Sequence, residues 1–119
     1  MEDYKLGAME MKFACLIWDS APVLSGELVK LCEKEFGWKK STTYTMLRRL
    51  CDRGIFRNTN GEVSALLTQH DFQARQSEQF IQETFDGSLP KFLAAFTAKT
   101  KLSDSEIEVL QKLINRHKE

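Results

Sequence analysis

The chain has 119 residues, of which 17 are Lys or Arg and 17 are Asp or Glu, so its formal net charge is zero. With 42% apolar and 29% charged residues, the composition is that of a globular protein and excludes a disordered tail, a collagen or a disulfide scaffold. No apolar run is long enough to span a bilayer and the first residues are acidic, which predicts a cytoplasmic protein without a secretory signal or membrane insertion.

Three amphipathic helices are predicted in the first half of the chain. Apolar residues at helical spacing predict a first helix over residues 7–19, which ends before Pro22. A second helix is expected to have Ser25 as its N-cap and to stop at Gly37, where positive φ is needed. A third helix is expected over residues 40–53, with an inward face formed by Thr43, Met46, Leu47 and Leu50.

A β-hairpin is predicted after the third helix. Two strand-like runs, residues 55–58 and 63–67, flank the Asn60-Gly61 pair. Such a pair between two strand-like runs is the strongest local signal for a hairpin. Residues 1–68 are therefore predicted to form three helices followed by a two-stranded hairpin, which is the order of a winged helix-turn-helix domain.

Three further helices are predicted in residues 69–119. A long polar helix over residues 71–86 is expected to stop at Gly87. Ser88 can cap a short helix, and a final helix is expected to begin at Ser103, which is predicted to form a capping box with Glu106. The fold class is therefore mainly α with a small β-hairpin, a winged-helix DNA-binding domain followed by a helical region.

The helical region is predicted to form a homodimer. About fifty residues are too few to bury a core alone, and their apolar stripes need a partner. A second copy of the same region is the simplest partner, and the alternative is that these helices fold back on residues 1–68. The residues expected at the dimer interface are Phe80, Phe85, Leu89, Phe92, Leu93, Phe96, Ile107, Leu110, Leu113 and Ile114.

Charge is unevenly distributed along the neutral chain. Residues 38–58 contain six basic residues against Asp52 alone, a net charge of +5. A local basic stripe on a recognition helix and wing is typical of DNA binding, with hydroxyl groups reading bases and basic groups binding phosphates. A solvated basic face and a protein–protein interaction module are the alternatives. The predicted DNA-binding residues are Lys39, Lys40, Ser41, Thr42, Tyr44, Thr45, Arg48, Arg49 and Arg57.

No catalytic or metal-binding constellation is present in the sequence, so an enzyme, a metal site and a cofactor are not expected. Cys15, Cys32 and Cys51 are far apart in apolar helical patterns, which predicts three buried core cysteines. His70 is expected at the start of the fourth helix, and His117 in an exposed tail, without a ligand role.

The dispersed motifs resemble those of the penicillinase repressor family, the BlaI/MecI/CopY-type regulators. The resemblance covers roughly residues 6–116. Its order is that of the family pattern, with a Lys39-Lys40 opening of the third helix where the family usually has Ser-Pro. The matching segments are Met9-Glu10 with Leu16-Ile17-Trp18, Gly37-Trp38, the run from Ser41 to Leu50, Arg53-Gly54, and the run from Leu102 to Ile107.

The resemblance implies a homodimeric repressor of antibiotic-resistance genes that binds inverted repeats in double-stranded operator DNA. It further implies induction by a membrane-bound sensor metalloprotease, which detects a β-lactam and leads to cleavage in the dimerisation region. The implied bond is Ala95–Phe96, where the family usually has Asn before the Phe. Release by a bound ligand is the alternative. The chain has no cysteine after Cys51, which argues against the copper-responsive branch.

Overall fold

A computed structural model describes residues 3–118 and has the predicted order of elements. The fold is mainly helical with a small three-stranded antiparallel sheet, which confirms the winged-helix prediction. The elements are α1 (Ala8–Ser20), β1 (Val23–Leu24), α2 (Ser25–Phe36), α3 (Lys40–Asp52), β2 (Phe56–Thr59), β3 (Glu62–Ala65), α4 (Gln69–Phe85), α5 (Leu89–Thr97) and α6 (Asp104–His117).

The wing is the hairpin of β2 and β3, joined by the predicted tight turn. Asn60 and Gly61 both have positive φ, 51° and 89°, as a two-residue turn of this kind requires. Thr59 pairs with Glu62 across the turn. The sequence did not predict β1, whose two residues are too short to show alternation; Val23 pairs with Val63 and places β3 in the centre of the sheet.

The core of the winged helix is formed by the predicted apolar faces of α1, α2 and α3 together with the wing. Thr43, Leu47 and Leu50 are buried as predicted, whereas Met46 is half-buried at the edge. This burial fixes which face of α3 remains outside. The fully buried apolar side chains are Phe13, Ala14, Ile17, Leu28, Cys32, Leu50, Ile55, Phe56, Val63 and Phe72.

The start of α4 belongs to the winged helix. Phe72 is fully buried, and its ring centroid lies 5.4 Å from that of Trp18. The chain divides into two compact units, one ending at Gln79 and the other beginning at Phe80. The N-terminal unit therefore extends beyond residue 68, where the sequence placed the domain boundary, because Phe72 completes the core beside Trp18.

The predicted helix ends are confirmed at Gly37 and wrong at Ser25. Gly37 follows α2 with a φ of 67°. Ser25 is the first residue of α2, and Leu24 is its N-cap without a side-chain hydrogen bond. The Ser25 N–H instead donates to the Gly61 carbonyl at 2.7 Å, because β1 brings the start of α2 against the wing turn.

The second unit contains the two predicted capped helices. Ser88 Oγ accepts from the Lys91 N–H at 3.2 Å at the start of α5. Ser103 and Glu106 form the predicted capping box of α6, with hydrogen bonds of 3.0 and 3.1 Å. The Ser103 N–H, which donates to Glu106 Oε1, is the main cause that lowers the pKa of Glu106 below its ordinary value, and the Ser103 side chain lowers this pKa further.

The three cysteines are free, and only one is fully buried. Cys32 lies in the core as predicted. The prediction of full burial is wrong for Cys15 and Cys51, which are partly exposed because they lie at the edges of the apolar stripes of their helices. Desolvation raises the pKa of Cys51, and the neighbouring Asp52 carboxylate raises it further, so this thiol is not activated.

Candidate nucleic-acid interface

The outward face of α3 carries hydroxyl groups at its start and guanidinium groups towards its end. Burial of Thr43, Leu47 and Leu50 on the opposite side leaves this face to solvent. The structure therefore brings most of the predicted DNA-binding residues of α3 together on one exposed surface. The exposed members are Lys39, Lys40, Ser41, Thr42, Thr45, Arg48 and Arg49.

The hydroxyl groups of α3 differ in what they can offer a base. Thr45 Oγ1 donates to the Ser41 carbonyl at 2.9 Å. Its proton is therefore engaged, which leaves an acceptor lone pair and a methyl group for DNA. Within residues 3–118, no hydrogen bond engages the hydroxyls of Ser41 or Thr42, so both can donate and accept. Such groups contact several base types, and a Thr methyl packs on the methyl of thymine.

Positive charge surrounds these hydroxyl groups. Lys39 is the N-cap of α3 and makes no side-chain cap hydrogen bond, so the first N–H groups of α3 keep no side-chain partner there. A helix N-terminus with open N–H groups favours a phosphate. Arg57 is exposed on β2 of the wing, and Arg49 lies in the last turn of α3. The helix N–H groups and the two arginines are suited to contacts with DNA phosphates, which position the protein on a duplex.

Arg53 belongs to the basic window of the sequence but not to this surface. Its guanidinium forms an ion pair with Glu10, with Nη1 3.7 Å from Oε2, and only a quarter of its side chain is exposed. It also donates to the carbonyls of Asp3 and Lys5. The window of +5 therefore includes one charge that is used inside the winged-helix unit.

Tyr44 is half-buried and joins three elements. Its ring packs against the core, and its hydroxyl donates to Ser25 Oγ at 3.2 Å. Ser25 in turn holds Gly61 of the wing turn through its N–H. Sequence reasoning placed Tyr44 on the outward face and overlooked Ser25 and Gly61, since this connection is made between distant parts of the chain. The arrangement fixes the wing relative to α3.

Replacing Tyr44 with Phe is expected to lower the free energy of unfolding by about 1 kcal/mol, the usual net value of one hydrogen bond. Urea denaturation of Tyr44→Phe, Ser25→Ala and the double variant measures this value as a coupling energy. Once Tyr44→Phe has removed the hydrogen bond, adding Ser25→Ala should cause no further loss of unfolding free energy from this bond. Fully additive losses would show that the two hydroxyls do not interact.

The second unit presents an apolar face without a covering. Within the described part of the chain, α5 and α6 contain no buried residue. The rings of Phe80, Phe85 and Phe92 pack edge-to-face, with centroids 5.6 to 6.1 Å apart. The exposed large apolar residues of this unit are Phe80, Leu89, Phe96, Ile107, Val109, Leu113 and Ile114.

This face contains the predicted dimerisation residues and one that the pattern missed. Phe85, Phe92, Leu93 and Leu110 are half-buried among their neighbours, and the other six are exposed. Val109 is 62% exposed and lies beside the stripe of α6. An i, i+3, i+4 template omits such a flanking position, although a wider apolar face would include it.

Ala95 and Phe96 are exposed residues in the last turns of α5. The peptide bond between them lies within helical backbone: the Ala98 N–H donates to the Ala94 carbonyl and the Thr100 N–H to the Phe96 carbonyl, both at 3.1 Å. The side chains are accessible, whereas the backbone is held by helical hydrogen bonds.

Neither a metal cluster nor a membrane helix is found in the part of the chain that the structure describes. No three His, Cys, Asp or Glu side chains converge there to hold an ion. Among the same residues, no helix is both long and apolar enough to cross a bilayer. His70 and His117 are exposed, at the start of α4 and the end of α6.

Comparison with known proteins gives a consistent family. Residues 6–116 match the family described as penicillinase repressor. The chain is also similar to a protein named penicillinase repressor from Bacillus licheniformis. The two are 26% identical over 113 residues, covering 92% of this chain and 88% of that protein.

Proposed function

Because the chain belongs to the penicillinase repressor family and is a transcriptional repressor, we propose that two copies bind an inverted-repeat operator of a β-lactam resistance operon. The observation that carries this proposal is the exposed α3 surface, where hydroxyl and guanidinium groups lie beside the wing. The proposed partner of the α3 surface is double-stranded DNA, and the proposed location of the protein is the cytoplasm.

The proposed reading of DNA divides the work between two kinds of side chain. Ser41, Thr42 and Thr45 contact base edges in the major groove, and their short side chains let α3 approach closely. Lys39, Lys40, Arg48, Arg49 and Arg57 bind phosphates and contribute salt-dependent affinity with little sequence information. Tyr44 holds the wing in place beside this surface through its hydrogen bond to Ser25.

Dimerisation through the apolar face of the second unit supplies the second α3 helix. The support is that α5 and α6 bury no residue in a single chain, while Leu113 and Ile114 are more than half exposed. An apolar surface of this kind marks an interaction site, and a second copy carries the same stripe. Linking two winged helices raises the affinity for paired half-sites by ~10²–10⁴ over one alone.

Release is proposed to follow cleavage of the Ala95–Phe96 bond, with a membrane sensor metalloprotease as the further partner. Proteases bind extended backbone, so the last turns of α5 must open before the bond is cut. Within a single chain that opening uncovers no fully buried side chain of α5 among the described residues, whereas in the dimer it must also withdraw Phe96 from the interface. Cleavage would separate α6 from the DNA-binding unit and remove the gain from linkage.

Exposure of the host to a β-lactam is expected to yield a fragment that ends at Ala95, because the Ala95 and Phe96 side chains are exposed in the single chain near the end of α5. Mass spectrometry of the repressor recovered before and after exposure identifies the new C-terminus. An intact repressor in cells whose resistance operon is transcribed would contradict proteolytic release and favour a bound ligand. The control is Lys101→Ala, a substitution that lies outside the Ala95–Phe96 bond. This variant should be cut as the wild type is.

Selection from a library of random duplexes tests the DNA-binding proposal without knowledge of the operator. The wild-type protein is expected to enrich an inverted repeat, since a two-fold dimer presents two equivalent α3 helices. Enrichment of no sequence, together with a protein partner captured by the α3 surface, would overturn the proposal in favour of an interaction module.

A further inference from the structure

Residues 3–5, here called the strap, lie along the first part of α4. The Tyr4 N–H donates to Gln79 Oε1 at 2.8 Å, and Gln76 Nε2 donates to the Tyr4 carbonyl at 3.3 Å. Gln79 Nε2 also reaches Asp3 Oδ1 at 3.3 Å. Two side chains of α4 therefore hold the strap backbone on one side of this helix.

The Tyr4 side chain adds a second set of contacts with α4. Its ring lies edge-on to Phe72, with centroids 6.1 Å apart. The Arg75 guanidinium lies 5.8 Å from the centre of the Tyr4 ring, and Arg75 Nη1 donates to the Tyr4 hydroxyl at 3.0 Å. Because Phe72 is itself in the core, Tyr4 connects the strap to the centre of the winged helix.

The opposite side of the strap is held by the end of α3. Arg53, the C-cap of α3, donates to the carbonyls of Asp3 and Lys5. Its ion pair with Glu10 holds the guanidinium in place from α1. The strap thus bridges the end of the proposed recognition helix and the first part of α4, with a charged donor on one side and two amides on the other.

We propose that Tyr4 and Arg53 are positioning residues that determine which half-site spacing the repressor selects. This inference rests on the proposed function. In a dimer, the separation of two α3 helices depends on the direction in which α4 leaves each winged helix. The strap ties that direction to α3 through the half-buried Tyr4 ring and the charge-assisted hydrogen bonds of Arg53. A fixed direction restricts the dimer to one spacing, whereas a loosened one accommodates several.

The test uses a duplex library of inverted repeats with spacers of graded length. Wild-type protein is expected to enrich a narrow set of spacers. Tyr4→Ala, and separately Arg53→Gln, should enrich a broader set with the same half-site sequence and bind the wild-type spacing roughly tenfold more weakly, because rigid preorganisation is lost. Gln73→Ala, on an exposed position of α4, is the matched control and should keep the narrow set.

Two further readouts separate this role from a loss of folding. Tyr4→Phe keeps the ring against Phe72 but loses the hydroxyl, so its spacer distribution should be intermediate. Should Tyr4→Ala lose its near-ultraviolet circular dichroism, Gln79→Ala takes its place, because Gln79 is outside the core. An unchanged narrow distribution in the folded strap variants would overturn the proposal. Failure of the wild type to enrich any inverted repeat would instead overturn the proposed function, and the spacing role with it.

Discussion

Replacing Leu113 with Asp is expected to convert the protein to a monomer of 13.7 kDa and to weaken binding to an inverted repeat by ~10²–10⁴. Leu113 is 54% exposed in a single chain, so the substitution removes little of the packing within one copy. In the proposed dimer the same position is covered, and an unpaired carboxylate there would lose its hydration. The expected loss is therefore one of association, not of folding.

Sedimentation equilibrium and fluorescence anisotropy on the selected duplex measure these two effects. Asn115→Asp is the matched control, because it adds the same charge to an exposed position on the opposite side of α6 from Leu113. This control should remain dimeric and bind as the wild type does. A dimeric Leu113→Asp, or a monomer that binds an inverted repeat with wild-type affinity, would contradict the proposed role of the apolar face.

Removing Arg48 and Arg49 together is expected to weaken DNA binding by roughly tenfold for each guanidinium, the value of one charge-assisted hydrogen bond. Both side chains are exposed on α3, and neither forms an ion pair within the described residues. As phosphate ligands they carry little sequence information, so the loss should be similar for all duplexes. The slope of log K against log salt should fall by about one for each residue.

The control for this change is Lys30→Ala with Lys34→Ala, which removes two charges from α2. Both lysines are exposed and lie outside the α3 surface. Anisotropy titrations across a range of salt concentrations measure the loss of affinity in each double variant. The comparison separates the effect of local contacts on α3 from the effect of a lower net charge. Equal losses would show that total charge, rather than the α3 surface, governs binding.

Local signals account for the elements that sequence reasoning predicted. Gly37 ends α2 because glycine adopts a positive φ without steric cost. Asn60 and Gly61 form the wing turn for the same reason, since Asn and Gly are the residues that best tolerate the positive φ that this turn requires. Ser103 and Glu106 satisfy each other across one helical turn. In each case the physical cause lies within a few residues, so a single sequence contains it.

Contacts between distant residues account for what was missed. Ser25 is a good N-cap by residue type, but β1 places it against Gly61 and under Tyr44, where its N–H and hydroxyl are already used. Phe72 looks like one apolar residue of a polar helix until Trp18 and Tyr4 surround it. Pairings between residues so far apart in the chain leave no periodic pattern in the sequence.

The basic surface also combines a feature that the sequence predicts with one that depends on contacts between distant residues. The sequence predicted the charged window correctly by counting, yet counting does not separate Arg53 from Arg48 and Arg49. The structure does so, because Glu10 and the strap engage Arg53 whereas the other two remain exposed. The neutral net charge of the chain therefore hides an exposed basic surface on α3 and the wing.

The salt dependence of operator binding tests the central claim most directly. Anisotropy of a labelled inverted-repeat duplex is titrated with wild-type protein at several salt concentrations, with the number of bound chains measured by sedimentation. Two chains per duplex are expected, with log K falling linearly with log salt by about 0.9 for each phosphate neutralised. A flat line, or a single chain per duplex at saturation, would contradict a dimeric repressor that binds DNA through the α3 surface.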